Sequence, residues 1–173
     1  MRRLYNIYSL GSYRNQNEES EDRQEKEHKD APKVRLNAST GGAGPFPIIT
    51  TLFADPIAVV DVSISTKGME RPAILLNFTS IIALPFGISV TLNFQIRRSL
   101  SDGSAVKVGS TYTFSTLVDV LESESFGFQF ADLDVEPGNY TYSIELSTNS
   151  IIDITPGLTI VNATLSALAV DND

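Results

Sequence analysis

The sequence contains no cysteine, no tryptophan and only one histidine among its 173 residues. Without cysteine the chain can form neither disulfides nor thiolate zinc sites, and it has no cysteine nucleophile. The single histidine, His28, has no second histidine and no cysteine with which to hold a metal or complete a catalytic triad. Cysteine nucleophiles, histidine-based triads and metal sites built from cysteine or histidine are therefore excluded, and we expect a protein that is not an enzyme and uses no cofactor.

Long apolar runs and excess positive charge are also missing. The longest apolar runs have about five residues, far fewer than the ~20 that a membrane-spanning helix requires. The formal net charge of -8 disfavours non-specific binding to nucleic acid or to an anionic membrane. Because Met1 to Tyr13 has neither an apolar core nor a small-residue cleavage site, we expect no secretory signal peptide. A protein outside the cell would then be released by lysis or carried on a spore.

The first 32 residues differ in composition from the rest of the chain. Residues 14–30 contain no aliphatic residue and no Phe or Tyr, so they cannot bury enough apolar surface to offset the entropy of ordering them. We interpret residues 14–32 as a flexible charged linker. A transient helix is the alternative, because Glu19–Arg23 and Glu25–Lys29 have the i,i+4 spacing of helical ion pairs.

An apolar segment, residues 1–13, precedes this linker. Its apolar side chains fit one face of a short helix as well as two faces of a strand. One interpretation is a frayed terminus; the other is an anchor that docks on a neighbouring subunit as a strand or a short helix. The candidate docking residues are Leu4, Tyr5, Ile7, Tyr8 and Leu10.

From residue 33 to residue 173 the sequence shows alternating apolar and polar residues. The alternation is clearest between Ile88 and Ile96, where every second residue is aliphatic or aromatic and the others are Ser, Thr, Asn or Gln. Turn sequences punctuate the pattern at 101–104, 136–139 and 155–157, and residues 41–47 are predicted to form a loop. About eight to nine short strands at this spacing predict an all-β domain, an antiparallel jelly-roll-like β-sandwich preceded by an extended N-terminal tail.

Two motifs in this domain have a possible ligand. Gly41-Gly-Ala-Gly44 is not followed by the Lys-Ser/Thr or the helix of a phosphate-binding loop, so we interpret it as a connector. Asp132, Asp134 and Glu136 would share one face of an extended segment and could bind Ca²⁺ weakly. Their spacing lacks the glycine turn of a dedicated calcium site, and the favoured interpretation is a solvated acidic edge that deters aggregation. We therefore predict no metal site.

Three segments of the body resemble a group of short Firmicute proteins that are common in spore-forming clostridia and bacilli and are known only as a domain of unknown function. The segments are 71–81 (RPAILLNFTSI), 137–142 (PGNYTY) and 161–169 (VNATLSALA), and the resemblance covers about residues 33–170. Many members of that group carry cysteines near the positions of residues 74 and 138. Since this chain has none, the resemblance implies a domain that cannot be cross-linked by disulfides.

The layout of tail and body is also similar to that of the subunits of bacterial endospore appendages and related jelly-roll fibres. In those fibres an N-terminal extension of one subunit docks on others. This likeness is one of layout and not of matched residues, so it is an analogy.

The favoured hypothesis is a structural subunit that self-assembles into a spore-surface or extracellular fibre, with itself as partner through heterologous contacts. The alternative is a binding module of the spore coat or surface, with carbohydrate as a candidate ligand and no polymerisation. A viral capsid or fibre protein built on the same sandwich is a third hypothesis.

Overall fold

The computed structural model describes residues 33–46, 56–101, 103–118, 120–133, 135–148 and 157–171. The described residues all belong to one compact unit, and they form eight strands. The strands are β1 (Val34–Ala43), β2 (Ile57–Ser65), β3 (Pro72–Leu84), β4 (Ile88–Leu100), β5 (Val106–Val118), β6 (Glu122–Asp132), β7 (Asn139–Thr148) and β8 (Thr159–Asp171).

The strands form two antiparallel sheets, and within the described ranges there is no helix. The first sheet has the order β1-β8-β3-β6, and the second sheet has the order β2-β7-β4-β5. The first four strands thus pair with the last four in reverse order: β1 with β8, β2 with β7, β3 with β6 and β4 with β5. Eight strands wrapped into two such sheets form a jelly roll. The predicted all-β antiparallel sandwich is confirmed, as is its strand number.

The core lies between the two sheets and follows the period-two pattern of the strands. In β4 the inward residues Val90, Leu92, Phe94 and Ile96 are all buried. An aromatic cluster joins the sheets: the ring of Phe94 lies 5.7 Å from that of Phe78, measured between centroids. Because inward and outward residues alternate along most of each strand, each strand also presents a row of side chains on the outside of the sandwich.

The two sheets are closed differently along their two long edges. At one edge, side chains of β1 and the residue before it cover backbone carbonyls of β2 and the turn after it. Arg35 donates to the carbonyls of Ser65 and Lys67 at 2.9 Å, and Lys33 donates to Gly68. This arrangement blocks the free edge of β2 against pairing with another strand.

At the other long edge, an aromatic contact joins β5 to β6. Tyr112 stacks on Phe128 with 3.8 Å between ring centroids, and its hydroxyl donates to the carbonyl of Gln129 at 3.3 Å. The half-buried rings of β6 therefore complete the core on this side.

The glycine motif belongs to a strand, and the loop predicted from residue 41 begins too early. Gly41 pairs with Ala163 and Ala43 pairs with Ile160, so β1 runs through the motif with an irregularity in register. A Cβ atom on Gly41 would lie 2.3 Å from the carbonyl oxygen of Val59. Glycine is needed there because the β1 backbone passes directly against that of β2.

Candidate assembly surface

The outer faces of the two sheets differ in charge. The second sheet presents Ser, Thr, Asn and Gln together with Asp61, Arg97, Lys107 and Glu145. Among the described residues, none that points outward from the strands of the first sheet is charged. We call this outer surface of the first sheet the uncharged face. A sheet surface of this width without charge is unusual, since most charged residues of a protein lie on its solvent-exposed surface.

One end of the uncharged face is aliphatic. The strand register places Leu36, Leu168, Leu75 and Ala131 in one row across all four strands. Leu36 is 72% exposed and Leu75 is 41% exposed, although both are large hydrophobic residues. The patch spans about 15 Å across the four strands, which are ~4.8 Å apart. This aliphatic patch consists of Val34, Leu36, Ala73, Leu75, Ala131, Leu168 and Val170.

A groove continues the patch around the end of the sandwich. It has a volume of about 600 Å³ and lies between the β2–β3 connection and the β6–β7 connection. Leu133, which is 70% exposed, follows β6 and extends the apolar surface from the patch into the groove. The groove is lined by Pro72, Leu133, Val135 and Pro137, with the charged residues Glu70, Arg71 and Glu136.

Buried polar side chains hold both walls of this groove. The carboxylate of Asp171, which is buried, accepts hydrogen bonds from the backbone amides of Glu70 and Arg71, both at 2.9 Å. On the other wall, the hydroxyl of Thr66 donates to the carbonyl of Glu136 at 3.0 Å and accepts from the amide of Gly138 at 2.9 Å. The groove is thus shaped by fixed backbone, and a bound segment would meet a surface that is already formed.

In the acidic segment Asp132 to Glu136, the candidate calcium ligand Asp132 is already bound by other side chains of the protein. The Asp132 carboxylate is buried, pairs with the Arg98 guanidinium at 2.8 Å and accepts a hydrogen bond from the Tyr142 hydroxyl at 2.9 Å. The interpretation of a solvated edge is therefore wrong for Asp132. Glu136 is exposed, Asp134 lies outside the described residues, and the described ranges contain no group of three side chains suited to a metal ion.

Burial and charge perturb the ionisation of this network. Burial raises the pKa of the Tyr142 hydroxyl well above its ordinary value, and the adjacent Asp132 charge raises it further. Burial acts to lower the pKa of Arg98, but the charge and hydrogen bond of Asp132 outweigh it, so the net shift is upward. The Tyr142 hydroxyl thus keeps its proton near neutral pH and donates it in the hydrogen bond to Asp132.

The candidate docking residues Leu4, Tyr5, Ile7, Tyr8 and Leu10 lie outside the described residues, as do the rest of the tail and His28. The aliphatic patch was not predicted from the sequence. Its signal was present in β3, where the run Ile74-Leu-Leu76 puts Leu75 on the outward row, next to Asn77. In the part of the chain that the structure describes, no helix has the length and apolarity needed to cross a membrane.

The fold and this surface define a jelly-roll β-sandwich domain with an exposed apolar patch on one outer face. Residues 35–170 match the model of a protein family described as a domain of unknown function, DUF4489. The chain therefore belongs to the DUF4489 family, whose model covers the whole sandwich from β1 to β8. The search of curated proteins gives no match.

Solved structures resemble the sandwich at low sequence identity. A chain in the structure of the infectious bursal disease virus Gx strain is 12% identical, with a TM-score of 0.45 over 82% of this chain and 32% of that chain. The dimeric latent PorU of Porphyromonas gingivalis is 10% identical, with a TM-score of 0.41 over 81% of this chain and 13% of that chain. This chain thus spans about a third or less of the length of these two proteins.

Proposed function

We propose that this protein is a non-enzymatic structural subunit that self-assembles into a fibre, with the apolar segment at residues 1–13 docking on neighbouring copies. The single observation that carries the proposal is the aliphatic patch on a face without charge. Contiguous apolar patches on the surface of a soluble domain often mark interaction sites.

The contacts proposed here are heterologous. A segment at the N-terminus of one copy and a sheet face on another copy are different surfaces, so each copy offers one donor and one acceptor. Contacts of this type produce an open filament unless the rotation between copies closes a ring. The charged linker, residues 14–32, gives the docking segment the reach that such a contact needs.

We also propose that the fibre is located on the spore surface or outside the cell. This placement is supported by the resemblance of residues 71–81, 137–142 and 161–169 to proteins of spore-forming Firmicutes. The homopolymer needs no cofactor, because its contacts are apolar surfaces and hydrogen bonds.

Negative-stain electron microscopy of the full chain, expressed without a tag on its N-terminus, tests the proposal. Regular filaments that lengthen with protein concentration are expected. Discrete particles at high concentration would overturn it and favour a binding module, for which a glycan array is the next measurement.

A further inference from the structure

We infer that the acceptor for the apolar N-terminal segment is the aliphatic patch with its adjoining groove, on a second copy of the chain. The inference rests on the function proposed above and adds the location of the acceptor. The donor is the segment from Leu4 to Leu10, and the acceptor row is Leu36, Leu168, Leu75 and Ala131.

The donor segment and the aliphatic patch both lack charge. The ten residues from Leu4 to Tyr13 carry no charge, although charged residues flank them on both sides. The patch is the end of a face that carries no charge on its described strands, whereas the adjoining groove also contains Glu70, Arg71 and Glu136. An extended seven-residue segment spans about 23 Å, at ~3.3 Å per residue. The four-strand row of about 15 Å and the groove beside it together offer a site of this length.

The N-terminal end of the sandwich lies beside the patch. This position is relevant to whether the segment docks on its own copy or on a neighbouring copy. Val34, the first residue of β1, is itself part of the patch, so a connection to the same copy needs only a few residues. The sequence instead places 22 residues, 11 to 32, between the segment and Lys33.

A flexible chain of 22 residues has a root-mean-square span of about 26 Å, and charge extends it further. A body of this size is about 37 Å across. Fully extended, the 22 residues reach about 73 Å, at ~3.3 Å per residue. The linker is therefore long enough to carry the segment past its own body to the patch of a neighbouring copy, a length that contact with its own patch would not require.

A second cluster of exposed apolar residues lies at the opposite end of the sandwich, in the β3–β4 and β5–β6 connections. It includes Leu121, which is 81% exposed. These residues lie on turns and do not form a sheet surface, so the cluster provides a comparison site that has a leucine at least as exposed as Leu36 and Leu75 but no flat acceptor.

The absence of cysteine makes a cross-linking test free of background. One full-length variant carries Ile7→Cys, and a second carries Leu36→Cys or Leu75→Cys. The two are mixed, allowed to assemble and oxidised, and heterodimers are counted on a denaturing gel. The matched acceptor controls are Ser63→Cys, at the same level of the sandwich on the other outer face, and Leu121→Cys at the opposite end.

We expect Ile7→Cys to form at least about ten times more heterodimer with Leu36→Cys or Leu75→Cys than with either control. This excess corresponds to a tenfold preference in an equilibrium constant. Leu75→Glu should weaken docking by about 100-fold or more, because it buries an unpaired charge in the contact, whereas Ser63→Glu should not.

The outcomes separate this inference from the proposed function. Filaments whose cross-links form with Ser63→Cys or Leu121→Cys instead would overturn the acceptor site and leave the fibre intact. Filaments in which a doubly substituted chain, Ile7→Cys with Leu75→Cys, closes only on itself would overturn docking between copies. An absence of filaments in the unmodified chain would overturn the proposed function itself.

Discussion

The network of Asp132, Arg98 and Tyr142 supports a quantitative prediction for the change Asp132→Ala. The substitution leaves the Tyr142 hydroxyl, in a residue with 0% exposure, without its acceptor. An unsatisfied buried hydroxyl costs about 1–3 kcal/mol. The substitution also removes a charge-assisted hydrogen bond from Arg98, worth about 1.5–3 kcal/mol. Since the Arg98 side chain is 23% exposed and can reach water, the lower end of that range applies. We expect Asp132→Ala to lower the free energy of unfolding by about 3 kcal/mol.

A double-mutant cycle separates the network from a simple loss of packing. Tyr142→Phe alone removes one hydrogen bond and should cost about 1 kcal/mol. Combined with Asp132→Ala it also removes the unsatisfied hydroxyl, so the double variant should be more stable than the sum of the single losses by about 1–2 kcal/mol. Urea unfolding at a protein concentration below that of assembly measures all three values. Additive losses within about 0.3 kcal/mol would refute the reasoning, because residues in one network should couple.

The remaining predictions concern pH, backbone packing and the groove wall. Because the pKa of Tyr142 is raised on folding, its stabilising contribution is fully present below the ordinary tyrosine pKa of about 10 and declines above it. Above this pH the free energy of unfolding should decrease with pH more steeply in the natural chain than in Tyr142→Phe, by up to about 1.4 kcal/mol per pH unit. Equal slopes for the two chains in alkaline urea titrations would contradict this prediction. Gly41→Ala should destabilise the fold by roughly 2 kcal/mol or more, since its Cβ would lie 2.3 Å from the Val59 carbonyl oxygen. Gly103→Ala, whose Cβ would have 3.8 Å to its nearest neighbour, should be nearly neutral in the same thermal unfolding assay. Asp171→Ala should cost about 2 kcal/mol by removing the acceptor of two backbone amides, whereas Asp61→Ala on the exposed outer face should cost less than about 0.5 kcal/mol. Similar losses for the two aspartate variants would show that the carboxylate does not hold the groove wall.

The strands themselves were predictable from the sequence, because alternation is a local property. In β4 the pattern from Ile88 to Ile96 needs no knowledge of neighbouring strands to be interpreted as one buried and one exposed row. The turns at 101–104 and 136–139 were likewise predicted from their Gly, Pro, Asp and Asn residues, and they connect β4 to β5 and β6 to β7.

The partners of each strand and the patch were not predictable in the same way. The pairing of β1 with β8 joins residues 117 to 136 positions apart, from Ala43↔Ile160 to Val34↔Val170, so no local pattern encodes it. Leu36 and Leu75 become neighbours only because both lie beside Leu168 in β8. Asp132 was misinterpreted for the same reason, since its partners Arg98 and Tyr142 belong to strands of the other sheet.

The central claim is that the N-terminal segment joins copies into a fibre. The most direct measurement compares the full chain with a chain of the same length in which Leu4, Ile7, Tyr8 and Leu10 are all replaced by serine, using negative-stain electron microscopy and sedimentation. Both chains should show the same β-rich circular dichroism spectrum, because the substituted residues lie outside the sandwich strands. We predict long filaments for the full chain and folded monomers or short rods for the serine variant. Long filaments that are unchanged in the serine variant would contradict the account.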